Sequence, residues 1–176
     1  MRRREFLLGG LALIAGGAAM AQARAGVFSS PLCFFHTHTS ETLEVDCSPH
    51  GIAVDQRQAL NHLLRDFRTE ESIAIDENLV LQLAELKHRV GNHDSVFEII
   101  SAYRSPKTNN MLRGKSKGVA RRRFHLQGRA IDVRLRGTAT SDLRDAAIAM
   151  QGGGVGYYKR SDFIHLDTGR VRAWRG

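Results

Sequence analysis

Three short stretches carry side chains that could do chemistry together: "HLQGRAID" (125–132), "DFIHLD" (162–167) and "SAYR" (101–104). In the first, His125 and Asp132 are seven residues apart. Gly128 lets the chain turn tightly between them, and Ala130 takes up little room. Asp132 lies between Ile131 and Val133, so on a strand the apolar pair takes one face and the carboxylate the other. A carboxylate placed there needs a partner. That partner is either one of the many arginines or a cation shared with His125. In the second stretch His165 alternates with Phe163 and Asp167, while Ile164 and Leu166 take the opposite face. His125, Asp132 and His165 together make a set of two histidines and one carboxylate. Catalytic zinc sites have this composition and keep a fourth position for water; zinc acidifies that water and polarises a carbonyl. Asp162, three residues before His165 and beside a turn, is placed either as a general base for the water or as an exposed turn aspartate. Arg104, at the end of "FEIISAYR", is a candidate for stabilising an anionic intermediate or holding a substrate carboxylate, or else one more surface arginine. His36 and His38 share a strand face but form a weak pair, and His50, His62, His88 and His93 sit in loops or helical patterns without ligand spacing.

The elements that must position these residues follow from periodicity. "DQRQALNHLLRDF" is a helix capped by Asp55, with Ala59, Leu60, Leu63, Leu64 and Phe67 on one face. "DENLVLQLAELKHRVG" is a second, capped by Asp76, striped by Leu79, Leu83, Leu86 and Val90, and stopped by Gly91. "SVFEIISAYR" (95–104) and "AIDVRL" are strands rich in β-branched residues. "SPKTNNMLR" supplies one or two helical turns. "TSDLRDAAIAMQ" is a third long helix, begun by Thr140 or Ser141 and ended by glycines 152 to 154. The closing "VGYYKRSDFIHLDTGRVRAW" reads as two short strands with a turn at Lys159 to Ser161. "LCFFHTHTSETLEVDCS" forms a hairpin around Ser40, with Cys33 and Cys47 equidistant from the turn. The two thiols either form a disulfide at the hairpin base or remain buried and free. The order predicts an α+β fold: one small domain with a mainly antiparallel sheet packed by helices, and the histidine and aspartate site on a sheet face.

The chain has 176 residues and a formal charge of +8. Its first 25 residues have a basic start, an apolar run from Phe6 and small-x-small patterns at the end, the parts of a cleavable export signal. Arg3 and Arg4 followed by Glu5, Phe6 and Leu7 resemble a twin-arginine signal, with cleavage after Ala25 preferred over Ala23. The alternative, a membrane anchor, suits a run so rich in Gly and Ala poorly. Residues 26–176 form the mature domain, with no membrane span and a charge near +5 once four arginines and one glutamate are removed. An exported basic chain suits an anionic wall polymer or membrane surface. The only dense basic run, "RGKSKGVARRR" (113–123), has no interleaved aromatics, so a stacking platform for single-stranded nucleic acid has no support and a DNA-binding reading rests on basic charge alone.

Taken in order, "SAYRSPKTN", "HLQGRAID", "GGGVGYY" and "FIHLDTGRVRAW" resemble the M15 metallopeptidases, and most closely their murein endopeptidase K-like branch. The likeness covers nearly the whole mature chain, including "HTHTSETL" and "LLRDFRT". It implies Zn2+ held by His125, Asp132 and His165, with Asp162 as acid and base and Arg104 stabilising the substrate. It also implies Asp167 orienting a ligand histidine, and Tyr157 and Tyr158 either lining the cleft or serving core or surface roles. The implied substrate is the stem peptides of peptidoglycan in the periplasm, and the implied reaction is opening of their cross-links, with the L,D link between two diaminopimelates favoured. The same ligands would also suit a D,D-carboxypeptidase or dipeptidase, or a non-catalytic wall-binding module. The chain departs from the pattern at Arg123, where many members carry serine two residues before the first histidine.

Overall fold

Among the described residues seven strands build one sheet: β1 (Leu32–His36), β2 (Thr42–Val45), β3 (Val96–Ser101), β4 (Ala130–Leu135), β5 (Gly154–Tyr158), β6 (Phe163–Asp167) and β7 (Arg172–Arg175). Their order is β2-β1-β3-β4-β6-β5-β7. Four neighbouring pairs are antiparallel; β1 with β3 and β5 with β7 are parallel. Four helices accompany them among the described residues: α1 (Val54–Leu63), α2 (Glu77–Arg89), α3 (Pro106–Lys115) and α4 (Thr140–Met150). The computed structural model describes residues 30–48, 50–115 and 124–176. The export-type segment, Arg123 and most of the basic run at 113–123 lie outside the described residues.

Strand alternation divides the sheet into a packed face and a chemical face. On the packed side Phe34, Phe97, Ile99, Ile131, Val133, Ile164 and Leu166 meet Leu60 and Leu63 of α1, Leu79, Leu83 and Leu86 of α2, and Leu143 of α4 in one core. On the opposite side stand Glu98, Asp132, Arg134, His165 and Asp167 (Asp132 bonds Arg104 and His165, Arg134 bonds Glu98). The α2 stripe behaves as its sequence predicts. Asp76 caps the helix by accepting from the Asn78 amide at 3.0 Å, and Gly91 follows its end with φ +68°.

Several expectations are corrected. The cap of α1 is Ala53, with Asp55 inside the first turn, where a negative charge suits the helix dipole; Ala59 is exposed. The α4 cap is Ala139, not Thr140 or Ser141. β3 ends at Ser101, so Arg104 lies beyond the strand, and α3 is longer than one or two turns. The closing segment holds three strands, because β7 adds in parallel along β5. In the hairpin, Ser40 turns with φ +61° as expected, but Cys33 pairs with Glu44. Cys47 instead sits in the core, so the thiols take different environments and both are free; the hairpin-base disulfide is absent.

Candidate metal centre

A β-bulge prepares the site. Ile99 pairs with Val133 and Ser101 with Asp132, so β3 spends two residues where β4 spends one. The extra residue re-aims the strand and carries Ser101 onto the face of Asp132. Arg104 then folds back: its Nε donates to Ser101 Oγ at 2.7 Å and its Nη2 to Asp132 Oδ2 at 2.7 Å. The segment beyond the strand is fixed from below by Asp66, whose Oδ2 accepts from the Ser105 amide at 2.9 Å and whose Oδ1 accepts from the Arg68 amide at 3.0 Å.

His125 opens a single 3-10 turn that ends at Gly128, φ +64°. A Cβ on Gly128 would stand 2.7 Å from the Ala74 carbonyl oxygen, so glycine is needed both for the left-handed backbone and for the close approach. The turn delivers His125 fully buried, with Nδ1 2.5 Å from the Ala102 carbonyl oxygen. β4 and β6 pair Asp132 directly with His165. The three inner atoms converge: His165 Nδ1 is 2.8 Å from Asp132 Oδ1, His125 Nε2 is 3.4 Å from the same oxygen, and the two ring nitrogens are 3.2 Å apart. The outer nitrogen of His165 is 3.1 Å from Asp167 Oδ2.

A carbonyl only accepts, so His125 Nδ1 donates to Ala102 and Nε2 turns its lone pair inward. His165 stands between two carboxylates, Nε2 on Asp167 and Nδ1 on Asp132, and both favour a proton on the ring. A cation at the inner point would take the place of the Nδ1 proton. A tetrahedral ion with bonds of about 2.0–2.1 Å holds its donors about 3.3 Å apart, close to the spacing seen. The donor set therefore fits a transition-metal dication. Among the described residues it is also the one group of three or more such side chains with metal-binding spacing. Burial pushes the His125 pKa down to about 4, against the pull of Asp132 and with the help of Arg104. Burial opposes the charge on Asp132 as well, but the two histidines hold its carboxyl well below the usual range. On His165 burial is outweighed by hydrogen bonds to Asp132 and Asp167, which raise its pKa.

The family model described as "Peptidoglycan L,D-endopeptidase MepK" matches residues 25–174. The chain belongs to this M15 peptidase family. Peptidoglycan L,D-endopeptidase MepK of Escherichia coli K12 is 39% identical over 98% of this chain and 96% of its own length. The probable enzyme of that name from Haemophilus influenzae is 36% identical over 99% and 96%. No solved structure gives a significant match.

The structure places the other candidates around the triad with differing closeness. Asp167 contacts His165 directly, as above. Asp162 lies outside the triad, at the end of the 3-10 turn Lys159–Ser161 with φ +51°. Thr140 Oγ1 donates to its Oδ1, and Arg134 Nη1 is 3.7 Å from its Oδ2. Arg134 shares the face of Asp132, two residues along β4, so the Asp162 carboxylate stands at the rim of the chemical face. Tyr157 pairs with Ile164 and packs against the core under the Arg144 guanidinium, 4.6 Å from its ring centroid. It thus faces the helix layer rather than the cleft. Tyr158 stacks on Phe163 at 4.6 Å and accepts from Trp174 Nε1 at 3.2 Å. His36 and His38 keep company with Phe67, their centroids 5.5 and 4.3 Å from its ring, rather than with the triad. Sequence reasoning missed Arg172, whose guanidinium forks onto Asp167 at 2.9 and 2.6 Å, and Trp174, whose ring centroid is 5.3 Å from that of His165. Their only signal was the spacing "RAW", two alternate large side chains on one strand face.

Proposed function

We propose that the chain is a zinc-dependent murein endopeptidase that hydrolyses peptide cross-links of peptidoglycan, acting on the L,D link between diaminopimelates. The observation that carries the reading is the convergence of two ring nitrogens and a carboxylate oxygen on a buried point, in a chain of the MepK family. His125, Asp132 and His165 hold the ion. When bound, zinc polarises the scissile carbonyl and acidifies the attacking water. Arg104 fixes the second oxygen of Asp132 and brings a positive charge to the place where the carbonyl oxygen becomes negative. Asp162 takes the proton of the attacking water and returns it to the leaving amine. Its exposure at the rim leaves it free to turn from Thr140 towards substrate, and catalytic hydrogen bonds often tighten only in the complex. Asp167 keeps the His165 ring in its tautomer. Residues 1–25 direct the chain through the twin-arginine route to the periplasm, where the substrate lies.

The test is digestion of purified sacculi by the zinc-loaded mature chain, followed by mass spectrometry of the muropeptides. The expected products are chains newly cut at L,D cross-links. Asp162→Ala is expected to lower the rate by about 10²–10⁴. Release of terminal D-alanine alone would replace the endopeptidase with a carboxypeptidase. Release of nothing, with binding retained, would leave a wall-binding module.

A further inference from the structure

"GGGVGYY" and "RVRAW" find a use only when the end of the sheet is seen across its strands. Two rows run over β6, β5 and β7 on the chemical face. One contains Asp167, Gly154 and Arg172; the other contains His165, Gly156 and Trp174. In each row the middle residue is glycine and the outer two touch over it. A Cβ on Gly154 would stand 2.5 Å from Asp167 Oδ2 and collide with the Arg172 guanidinium. A Cβ on Gly156 would stand 2.7 Å from the Trp174 ring. The glycines thus form a trough, through which an edge strand's side chains reach the metal-ligand strand.

We infer that Arg172 is a positioning residue for the metal ligand His165, acting through Asp167 across the glycine trough. The chain of contacts is continuous. Nη1 and Nη2 of Arg172 donate to the two oxygens of Asp167, the bidentate pairing that fixes a carboxylate in plane. The Asp167 oxygens also accept from the Gly169 amide at 2.9 Å and the Gly154 amide at 3.2 Å. So held, Asp167 Oδ2 meets the outer nitrogen of His165 at 3.1 Å, and the ring points Nδ1 at Asp132. Trp174 closes the other side of the ring, and Arg172 lies over Trp174 at 4.9 Å and over Phe124, which precedes His125, at 5.5 Å. One arginine therefore ties together the approaches to both ligand histidines. The inference rests on the metal reading above.

The test is zinc affinity of the mature chain, measured by competition with a chromophoric chelator and so independent of peptidoglycan cleavage. Arg172→Gln is expected to weaken zinc binding by up to about 10-fold, at or below the 10–100-fold usual for losing a direct partner of a ligand, which Asp167 is. Arg172→Lys keeps the charge but loses the fork and should recover only part. Arg175→Gln, the same change at an exposed position of the same strand, should bind as wild type. Gly154→Ala, which leaves both charged side chains in the sequence but blocks their meeting, should reproduce the loss. In an Asp167→Asn background, Arg172→Gln should cost nothing further, a coupling that general destabilisation would not produce. Wild-type affinity in Arg172→Gln, or full additivity with Asp167→Asn, would overturn the inference alone. A wild-type chain that binds no zinc would overturn it together with the proposed zinc chemistry.

Discussion

Gly128 offers a quantitative test of how His125, the first candidate ligand, is placed, because the chain supplies its own control. Gly91 and Gly128 have nearly the same backbone, φ +68° and +64°. Their surroundings differ: a Cβ on Gly91 meets nothing within 4 Å, whereas on Gly128 it meets the Ala74 carbonyl oxygen at 2.7 Å and Ile73 Cδ1 at 3.1 Å. Alanine at either site incurs the left-handed cost of roughly 1–2 kcal/mol. At Gly128 the methyl must also displace backbone, and overpacking of this kind costs about 1–3 kcal/mol more. Gly128→Ala should therefore destabilise by about 2–5 kcal/mol and Gly91→Ala by about 1–2 kcal/mol. At roughly 2–4 °C per kcal/mol for a domain of this size, the first should melt markedly lower than the second. Urea titrations of both variants, with chelator and with zinc, would measure this. The zinc increment should shrink in Gly128→Ala, whose turn carries His125, and persist in Gly91→Ala, whose site is remote from the triad. Equal destabilisation of the two, or an unchanged zinc increment in Gly128→Ala, would refute the close docking of this turn beneath Ala74.

Two other outcomes follow from the same geometry. In the metal-free protein His125 has its pKa lowered from 6.5 to about 4 by burial. The unfolded chain takes up this proton near pH 6.5 while the native chain refuses it until about pH 4, so the stability it contributes is lost as pH falls through that window. At 1.36 kcal/mol per pH unit the loss is roughly 3 kcal/mol. His165 acts in the opposite sense, its raised pKa favouring the native state at low pH. Denaturant titrations in chelator should show His125→Gln losing about 3 kcal/mol less than wild type between those pH values, with an equal slope counting against the buried neutral ring. Asp66 is 1% exposed and accepts from the Ser105 and Arg68 amides. Asp66→Asn turns an amide donor towards one of them and should destabilise by about 2–4 kcal/mol. It should also slow cleavage, because the segment that carries Ala102 and Arg104 to the site loses its support; full activity of a folded Asp66→Asn would contradict that role.

What could be read from the sequence depended on the range over which each residue acts. The α2 stripe, its Asp76 cap and its Gly91 stop are local, and periodicity described them correctly. His125, Asp132 and His165 were also legible as a group, since "AIDVRL" and "DFIHLD" carry period-two alternation that sets Asp132 and His165 on the face opposite their apolar neighbours, and Gly128 gives the tight turn after His125. That alternation could not reveal that β4 and β6 are neighbours, with Asp132 opposite His165; this is a fact of register. Arg104 was misplaced at a strand end because a bulge is not visible in apolar spacing, although that bulge is what brings Ser101, and Arg104 after it, to the face of Asp132. β7 was missed altogether, because its inward side chains are arginine and tryptophan rather than a hydrophobic pair. A strand whose buried face is an ion pair to Asp167 and a ring against His165 has no hydrophobic signature to detect. Besides the "RAW" spacing its trace was the glycines of "GGGVGYY", whose meaning lies in the space they leave for two side chains from the last strand of the fold.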